Sequence, residues 1–324
     1  MPQETRWGLD TSSKWIKQQL LDCDENHPDC KSDQEKNPVL PTRVLDLGED
    51  PENTSIHLRE TNNLVGVYAT LSHCWGLVHP LTTTRDTYDQ RIQGIAIDEL
   101  PKTFRDAVLV TRKLGIRYLW IDSLCIIQRD LTDWKIESSR MAGVYSNAYV
   151  NLAASGSRDS RGGLFREGRV SGLHLWVYSL STPLLDRAWV YQERKLSRRF
   201  VQFTTSELVW ECNASITCEC GNPFLKHCAF PDLIRPKLDV SKDPNFLQAW
   251  SEILGFYTRL ALTEEEDRLP ALAGVAAAIQ SKSNQTYYTG IWKEQMPKNL
   301  LWGLLQQGES FEIIYCSHVV MGSL

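Results

Sequence analysis

The segment from residue 120 to residue 155, WIDSLCIIQRDLTDWKIESSRMAGVYSNAYVNLAAS, constrains this chain more than any other. It reads as a buried strand, a polar loop, an amphipathic helix and a second buried strand. At about 100° per residue, Trp134, Met141, Val144, Tyr145 and Ala148 fall on one side of the helix. Glu137 projects from the middle of that stripe, between Trp134 and Met141. An ionised carboxylate among apolar neighbours is costly unless it is paired or faces a cleft. Two readings follow. Glu137 is either a catalytic carboxylate lining a cleft or a buried one held by an arginine such as Arg117, Arg187 or Arg194.

The same alternation extends upstream. Residues 65–72 form an apolar strand, and 101–114 a helix that opens on Pro101 and stops at Gly115. Residues 117–122 read as a strand, and 133–147 as the helix of Glu137, with Asp130 or Thr132 as its N-cap. A third strand covers 149–154. Strands alternating with helices predict an α/β fold with a mostly parallel central sheet flanked by helices. Ligand sites in such sheets gather at the carboxyl ends of the strands. Three polar clusters stand at those ends: Ser72, His73, Cys74 and Trp75; Asp122, Ser123 and Cys125; and Ala154 with Ser155.

Asp122 has two roles open to it, orienting a ligand hydroxyl or a neighbouring histidine, or capping the turn that follows. Strand alternation puts Ser72 and Cys74 on one face and His73 and Trp75 on the other. His73 and Cys74 therefore do not pair directly, whereas Cys125 could reach His73 from the next strand. Packing is the default role of a lone cysteine. Further along, Arg187, Trp189, Gln192, Glu193 and Arg194 gather cations, an amide and a carboxylate around aromatics. Arg187 reads there as a phosphate or carboxylate clamp, or as part of a salt-bridged surface strand.

The flanks are less regular. Residues 5–31 read as a helical segment, 43–47 and 55–58 as a strand pair, and 189–192, 200–204 and 208–211 as more strands. Residues 246–262 and 267–280 read as helices. The expected organisation is an N-terminal helical segment and loop (1–40), a core (41–215) and a mixed α+β C-terminal extension (216–324).

Composition excludes several classes. The 324 residues are 42% hydrophobic and 23% charged, with formal net charge −5, and no Lys/Arg run offers a nucleic-acid surface. The start MPQETRWGLD lacks a signal-peptide layout, and no apolar run approaches the roughly 18 residues of a membrane span. A cytoplasmic, reducing setting is expected. The nine cysteines are odd in number and scattered, which fits thiols better than a disulfide framework. Cys212, Cys218, Cys220, His227 and Cys228 have metal-like composition, but C-x5-C-x-C-x6-H-C lacks the paired C-x2-C knuckles of zinc sites. Cys23, His27 and Cys30 form a smaller set. No metal is therefore expected. The glycines Gly162 and Gly163 lack the spacing of a phosphate fingerprint.

Several longer runs carry a family resemblance: YATLSHCWG (68–76), LPKTFRDAVLVTRKLGIRYLWIDSLCIIQ (100–128), DWKIESSRMAGVYSNA (133–148), GGLF (162–165), RAWVYQERKLSRRF (187–200) and VWEC (209–212). Together they resemble the fungal heterokaryon incompatibility (HET) domain. The Trp-Cys-His-Cys layout of residues 15–30 looks like the segment that often precedes that domain, and residues 267–304 look like what commonly follows it. Two departures stand out. Arg129 replaces the acidic residue that usually follows the Gln, and the Trp-rich continuation after Leu304 is missing, which implies a truncated or divergent C-terminus.

The resemblance implies a role in fungal nonself recognition, with cell death as the output. Through it the chain looks distantly like Toll/interleukin-receptor (TIR) domains, with a TIR/flavodoxin-like core. Trp134-x-x-Glu137 resembles the helix start that carries the catalytic glutamate of NAD-cleaving TIR enzymes. Carried over, Glu137 engages the ribose hydroxyls and stabilises the oxocarbenium-like state. Trp75 or Trp134 stacks on a ring, and His73 or Arg187 contacts phosphate. NAD is then a substrate and no cofactor is required. Implied partners are a nucleotide, a second copy of the chain or another incompatibility protein. The alternatives are a non-enzymatic module that works by self-association, and a small-molecule biosynthetic enzyme on the same fold.

Overall fold

The computed structural model describes residues 8–31, 38–50, 52–76, 80–165, 182–219, 221, 246–295, 303–307 and 310–314. The chain divides into two compact units, one built from residues 1–185 and 197–229, the other from 186–196 and 230–324.

The first unit opens with α1 (Leu9–Asn26), which ends in a 3-10 turn at Pro28–Cys30. Then come β1 (Arg43–Asp46), β2 (Ser55–Glu60), β3 (Tyr68–Ser72), α2 (Tyr88–Gln93), β4 (Ile95–Ala96), α3 (Lys102–Lys113) and β5 (Tyr118–Ile121). A single turn α4 (Asp122–Cys125), the helix α5 (Leu131–Asn147), β6 (Val150–Ala153), β7 (Arg199–Phe203), β8 (Leu208–Cys212) and β9 (Ile216–Cys218) complete it. The nine strands form one sheet in the order β4-β2-β1-β5-β3-β6-β7-β8-β9.

The expectation of a mostly parallel sheet needs correction. Only β5/β3, β3/β6 and β6/β7 run parallel, and every flanking pair is antiparallel. Connection length explains the division. Parallel neighbours need a crossover of a dozen or more residues, and α3 and α5 supply two of them. The strands β7 and β8 are separated by only residues 204–207, which permits an antiparallel hairpin and nothing else. The parallel core runs β5-β3-β6-β7, or 2-1-3-4 by order of appearance, the doubly wound order whose switch point hosts ligands.

Both crossover helices follow from their sequences. Pro101 precedes the first turn of α3, whose Phe104, Ala107, Val108 and Thr111 are buried, and Gly115 takes the left-handed φ of +79° that ends it. Asp130, rather than Thr132, caps α5, its carboxylate accepting from the Thr132 and Asp133 amides at 3.0 and 3.2 Å. The stripe Met141, Val144, Tyr145 and Ala148 is buried, with Trp134 half-buried. Contacts place the two helices on opposite faces of the sheet. His73 meets Phe104 of α3 edge-on at 4.8 Å. Trp120 meets Tyr145 of α5 at 5.6 Å, and the Tyr68 hydroxyl donates to the Val144 carbonyl.

The second unit holds α6 (Ala188–Leu196), α7 (Phe246–Tyr257), α8 (Pro270–Lys282) and the short pairs β10/β11 (Tyr287–Tyr288, Ile291–Trp292) and β12/β13 (Gly303–Gln307, Ser310–Ile314). Its core gathers Tyr191, Trp250, Tyr257, Leu272, Val275 and Trp292. Residues 189–192, expected as a strand, lie in α6. Their aromatic and β-branched content suits a strand, but Ala188 and Tyr191, at helical spacing, are what the core receives.

Candidate functional site

At the carboxyl end of β3 the chain leaves the sheet through Ser72, His73, Cys74 and Trp75, and the first three are buried. Asp122, at the end of neighbouring β5, collects three donors. Its Oδ1 lies 2.9 Å from His73 Nε2 and accepts the Ser123 amide at 2.7 Å, while Oδ2 accepts the Trp75 indole N–H at 2.9 Å. Both roles left open for Asp122, orienting a histidine and capping its own turn, are filled at once. Burial pushes this carboxyl up, but the His73 ring, the Trp75 indole and the Ser123 amide outweigh it and hold Asp122 below the usual carboxylate range. The other ring nitrogen of His73, Nδ1, lies 3.2 Å from the Cys74 carbonyl. The imidazole therefore stands between two oxygen acceptors and can donate to both when protonated.

Ser72 sits deeper. Its hydroxyl accepts from Asn151 Nδ2 at 3.0 Å, and the same amide donates to the Ser197 hydroxyl at 3.1 Å, a buried polar link from β3 to β6. Ser123 is fully buried, and its hydroxyl has no hydrogen-bond partner among the described residues. Desolvation pushes the Cys125 thiol up to about 12, and the charges of Asp122 and Glu137 add to the shift. A thiol so disposed is a poor nucleophile near neutral pH.

Glu137 is 3% exposed, as its place on the stripe demands. Its Oε1 accepts from Arg140 Nη1 at 3.2 Å, one turn along the same helix, and that guanidinium also donates to the Thr42 hydroxyl. Of the arginines expected as partners, Arg117 is committed instead to Asp46 and Glu49. Below Glu137 a second ion pair fixes the start of α5. Arg43 grips Asp133 and donates through Nε to the Cys125 carbonyl at 2.7 Å, while Asp133 accepts the Ile127 amide. Arg43, Asp133 and Arg140 escaped sequence reasoning, because each lies outside the strand-end clusters and looks like an ordinary surface charge.

Residues 155–165 close against this end of the sheet. Gly76, at φ +68°, leaves so little room that a Cβ there would stand 2.6 Å from Asp159 Cβ. Gly163, at φ +81°, packs on Lys102 and Asp106, and its amide donates to Thr103 Oγ1. Asp106 also accepts the Leu164 amide at 2.8 Å and the Lys102 ammonium at 2.9 Å. The two glycines thus serve a backbone latch on α3.

Of the remaining expected site residues, Arg187 and Gln192 lie in the second unit, where the Gln192 amide oxygen accepts the Gly274 N–H at 2.8 Å. Trp134 lies one turn before Glu137. The expected cysteine cluster is rearranged. Cys220, His227 and Cys228 lie outside the described residues, and Cys218 is disulfide-bonded, whereas Cys23, Cys30, Cys74, Cys125 and Cys212 are free thiols. Cys212 instead meets the N-terminal set: the donor atoms of Cys23, His27, Cys30 and Cys212 all lie within 4.8 Å of one another. Hydrogen bonding among the sulfurs pulls the Cys212 thiol far down and pushes the Cys23 thiol far up.

No helix among the described residues is long and apolar enough to cross a membrane. No curated protein and no solved structure matches the chain. Residues 68–174, about a third of its length, match the family model described as heterokaryon incompatibility protein (HET). That span opens on β3 and takes in His73, Trp75, Asp122, Glu137 and the glycine latch, and over it the chain is similar to a HET domain.

Proposed function

We propose that the HET domain cleaves a nucleotide of the NAD class and acts by that activity as a cell-death effector of fungal nonself recognition. The observation that carries this reading is the Asp122–His73–Trp75 set at the carboxyl ends of β5 and β3, next to the β3/β6 switch point of a doubly wound parallel core. The negative charges of Asp122 and Glu137 both push the buried Cys125 thiol up. Such an edge suits a ligand with one polar end and one flat ring. Trp75, half-buried and oriented by Asp122, offers a stacking surface, and His73 holds Asp122 in place beneath it.

In this reading Glu137 faces the ribose when the substrate enters, and the exposed Arg140 turns from the carboxylate to solvent as the developing positive charge takes its place. The bond between the nicotinamide nitrogen and the ribose anomeric carbon breaks, and its electrons leave with neutral nicotinamide. Glu137 stabilises the positive charge that develops on the ribose. Water adds at the anomeric carbon, giving ADP-ribose and a proton. The analogy to NAD-cleaving TIR enzymes supports the choice of substrate at the level of fold and of Trp134-x-x-Glu137. The test is incubation of the purified chain with NAD and chromatographic measurement of nicotinamide. Wild type should release it and Glu137→Gln should be slower by about 100-fold or more. Intact NAD at high protein concentration, crowding agent included, would sink the reading.

The second reading is a non-enzymatic module that signals by self-association. The Glu137–Arg140 bond favours it, since a carboxylate already paired has a structural role without any substrate. Toxicity on expression that survives Glu137→Gln would select this reading over the first.

A further inference from the structure

We propose that Cys23, His27, Cys30 and Cys212 bind one zinc ion in a tetrahedral structural site that fastens the N-terminal helix to the end of β8. The proposal stands apart from the nucleotide reading and uses none of its residues. Cys23 lies in the last turn of α1, His27 follows the helix, and the 3-10 turn Pro28–Cys30 swings Cys30 back toward both. The spacing C-x3-H-x2-C on a helix end thus converges three donors, and the last residue of β8 supplies the fourth.

The dimensions fit. Zinc–sulfur and zinc–nitrogen bonds of about 2.3 and 2.0–2.1 Å in a tetrahedron set sulfur–sulfur edges of roughly 3.8 Å and sulfur–nitrogen edges of roughly 3.5 Å. All four donor atoms lie within 4.8 Å of one another, and His27 Nδ1 stands 3.4 Å from Cys212 Sγ. Three cysteines and one histidine in this arrangement select zinc over harder cations such as calcium or magnesium. Three thiolates and a neutral imidazole around Zn2+ carry a net charge of minus one. The Arg199 guanidinium, whose Nε donates to Cys23 Sγ at 3.4 Å, offsets it. The Ser215 amide donates to Cys212 Sγ at 3.3 Å, and the Asn213 side chain holds the Asp29 carbonyl. Such outer hydrogen bonds orient ligands at metal sites. A disulfide between two of the three sulfurs would leave the third sulfur and the imidazole without a purpose in this buried corner.

The consequence is a cross-link over a long loop, since Cys212 lies 185 residues beyond His27. Zinc should therefore stabilise the whole first unit, not merely its N-terminus. The experiment is elemental analysis of the full chain purified under reducing conditions, with Co2+ titration of the metal-stripped protein. The expected result is one equivalent of zinc per chain and, with Co2+, the visible absorption and thiolate charge-transfer bands of a tetrahedral site. Cys23→Ser and Cys212→Ser should lose both signals. Because either variant could fail to fold, His27→Cys is the companion: it keeps four donors and should keep the metal. Chelation should lower the Tm of wild type, and zinc should restore it. Less than about a tenth of an equivalent of metal and no Co2+ bands would overturn the proposal. So would a disulfide among these cysteines in the reduced preparation.

Discussion

Asp122 shows how one side chain can set a site. Three donors converge on it, and its carboxyl is held below the ordinary range because they favour the charged form over the cost of burial. A folded-state pKa below the unfolded one adds stability that is present above the unfolded value and lost as pH falls through the folded one. Asp122→Asn should therefore lower stability by about 1–3 kcal/mol near neutral pH. The gap from wild type should narrow below about pH 4, as both chains come to carry an uncharged group there. Denaturant melts of the two proteins across pH check this. A gap that widens in acid would contradict it. His73, Asp122 and Glu137 were legible in the sequence because each broke a rule: two polar residues ending apolar strands, and one carboxylate on an apolar stripe. Arg140 was not, because nothing in the sequence separates an exposed arginine that reaches inward from one that does not.

Two left-handed backbone positions bear on the stability of the elements around the site. Arg129 adopts φ +64° just before the cap of α5, a left-handed conformation costly for most side chains but tolerated by Asp and Asn. The family resemblance expects an acidic residue there. Arg129→Asp should raise stability by up to about 1 kcal/mol, measured by thermal melting, from relief of that strain and from negative charge near a helix N-terminus. Gly163→Ala should do the opposite. It combines φ +81° with a Cβ only 2.6 Å from Asp106 Oδ2, and a loss of about 1–3 kcal/mol is expected, with faster proteolysis of the 155–165 loop. The core strands and their crossover helices were readable because apolar periodicity and caps agree there. The strand pair at 43–47 and 55–58 and the strands near 200–204 and 208–211 were also readable, but α6 was misread as a strand, since short elements rich in aromatics take their conformation from partners distant in sequence.

At the scale of the molecule, the chain leaves the first unit after residue 185 and re-enters it at residue 197, lending α6 to the second. A fragment ended at residue 229 would keep α6 but lose α7 and α8, whose Trp250, Tyr257, Leu272 and Val275 share its core. Such a fragment should be markedly less soluble than the full chain, as sedimentation of expressed protein would show, because Ala188 and Tyr191 would be left uncovered. No pattern in the sequence marked this exchange, since a contact between α6 and α8 is a fact of tertiary packing alone.

The central claim is that the strand-end set and Glu137 together cleave a nucleotide. The most direct measurement is nicotinamide release from NAD by the purified full-length chain, run beside Glu137→Gln and matched for folding by circular dichroism. The account predicts release by wild type and a fall of about 100-fold or more in the variant, with the two melting alike. Equal rates in two folded proteins, or no release from either, would contradict it.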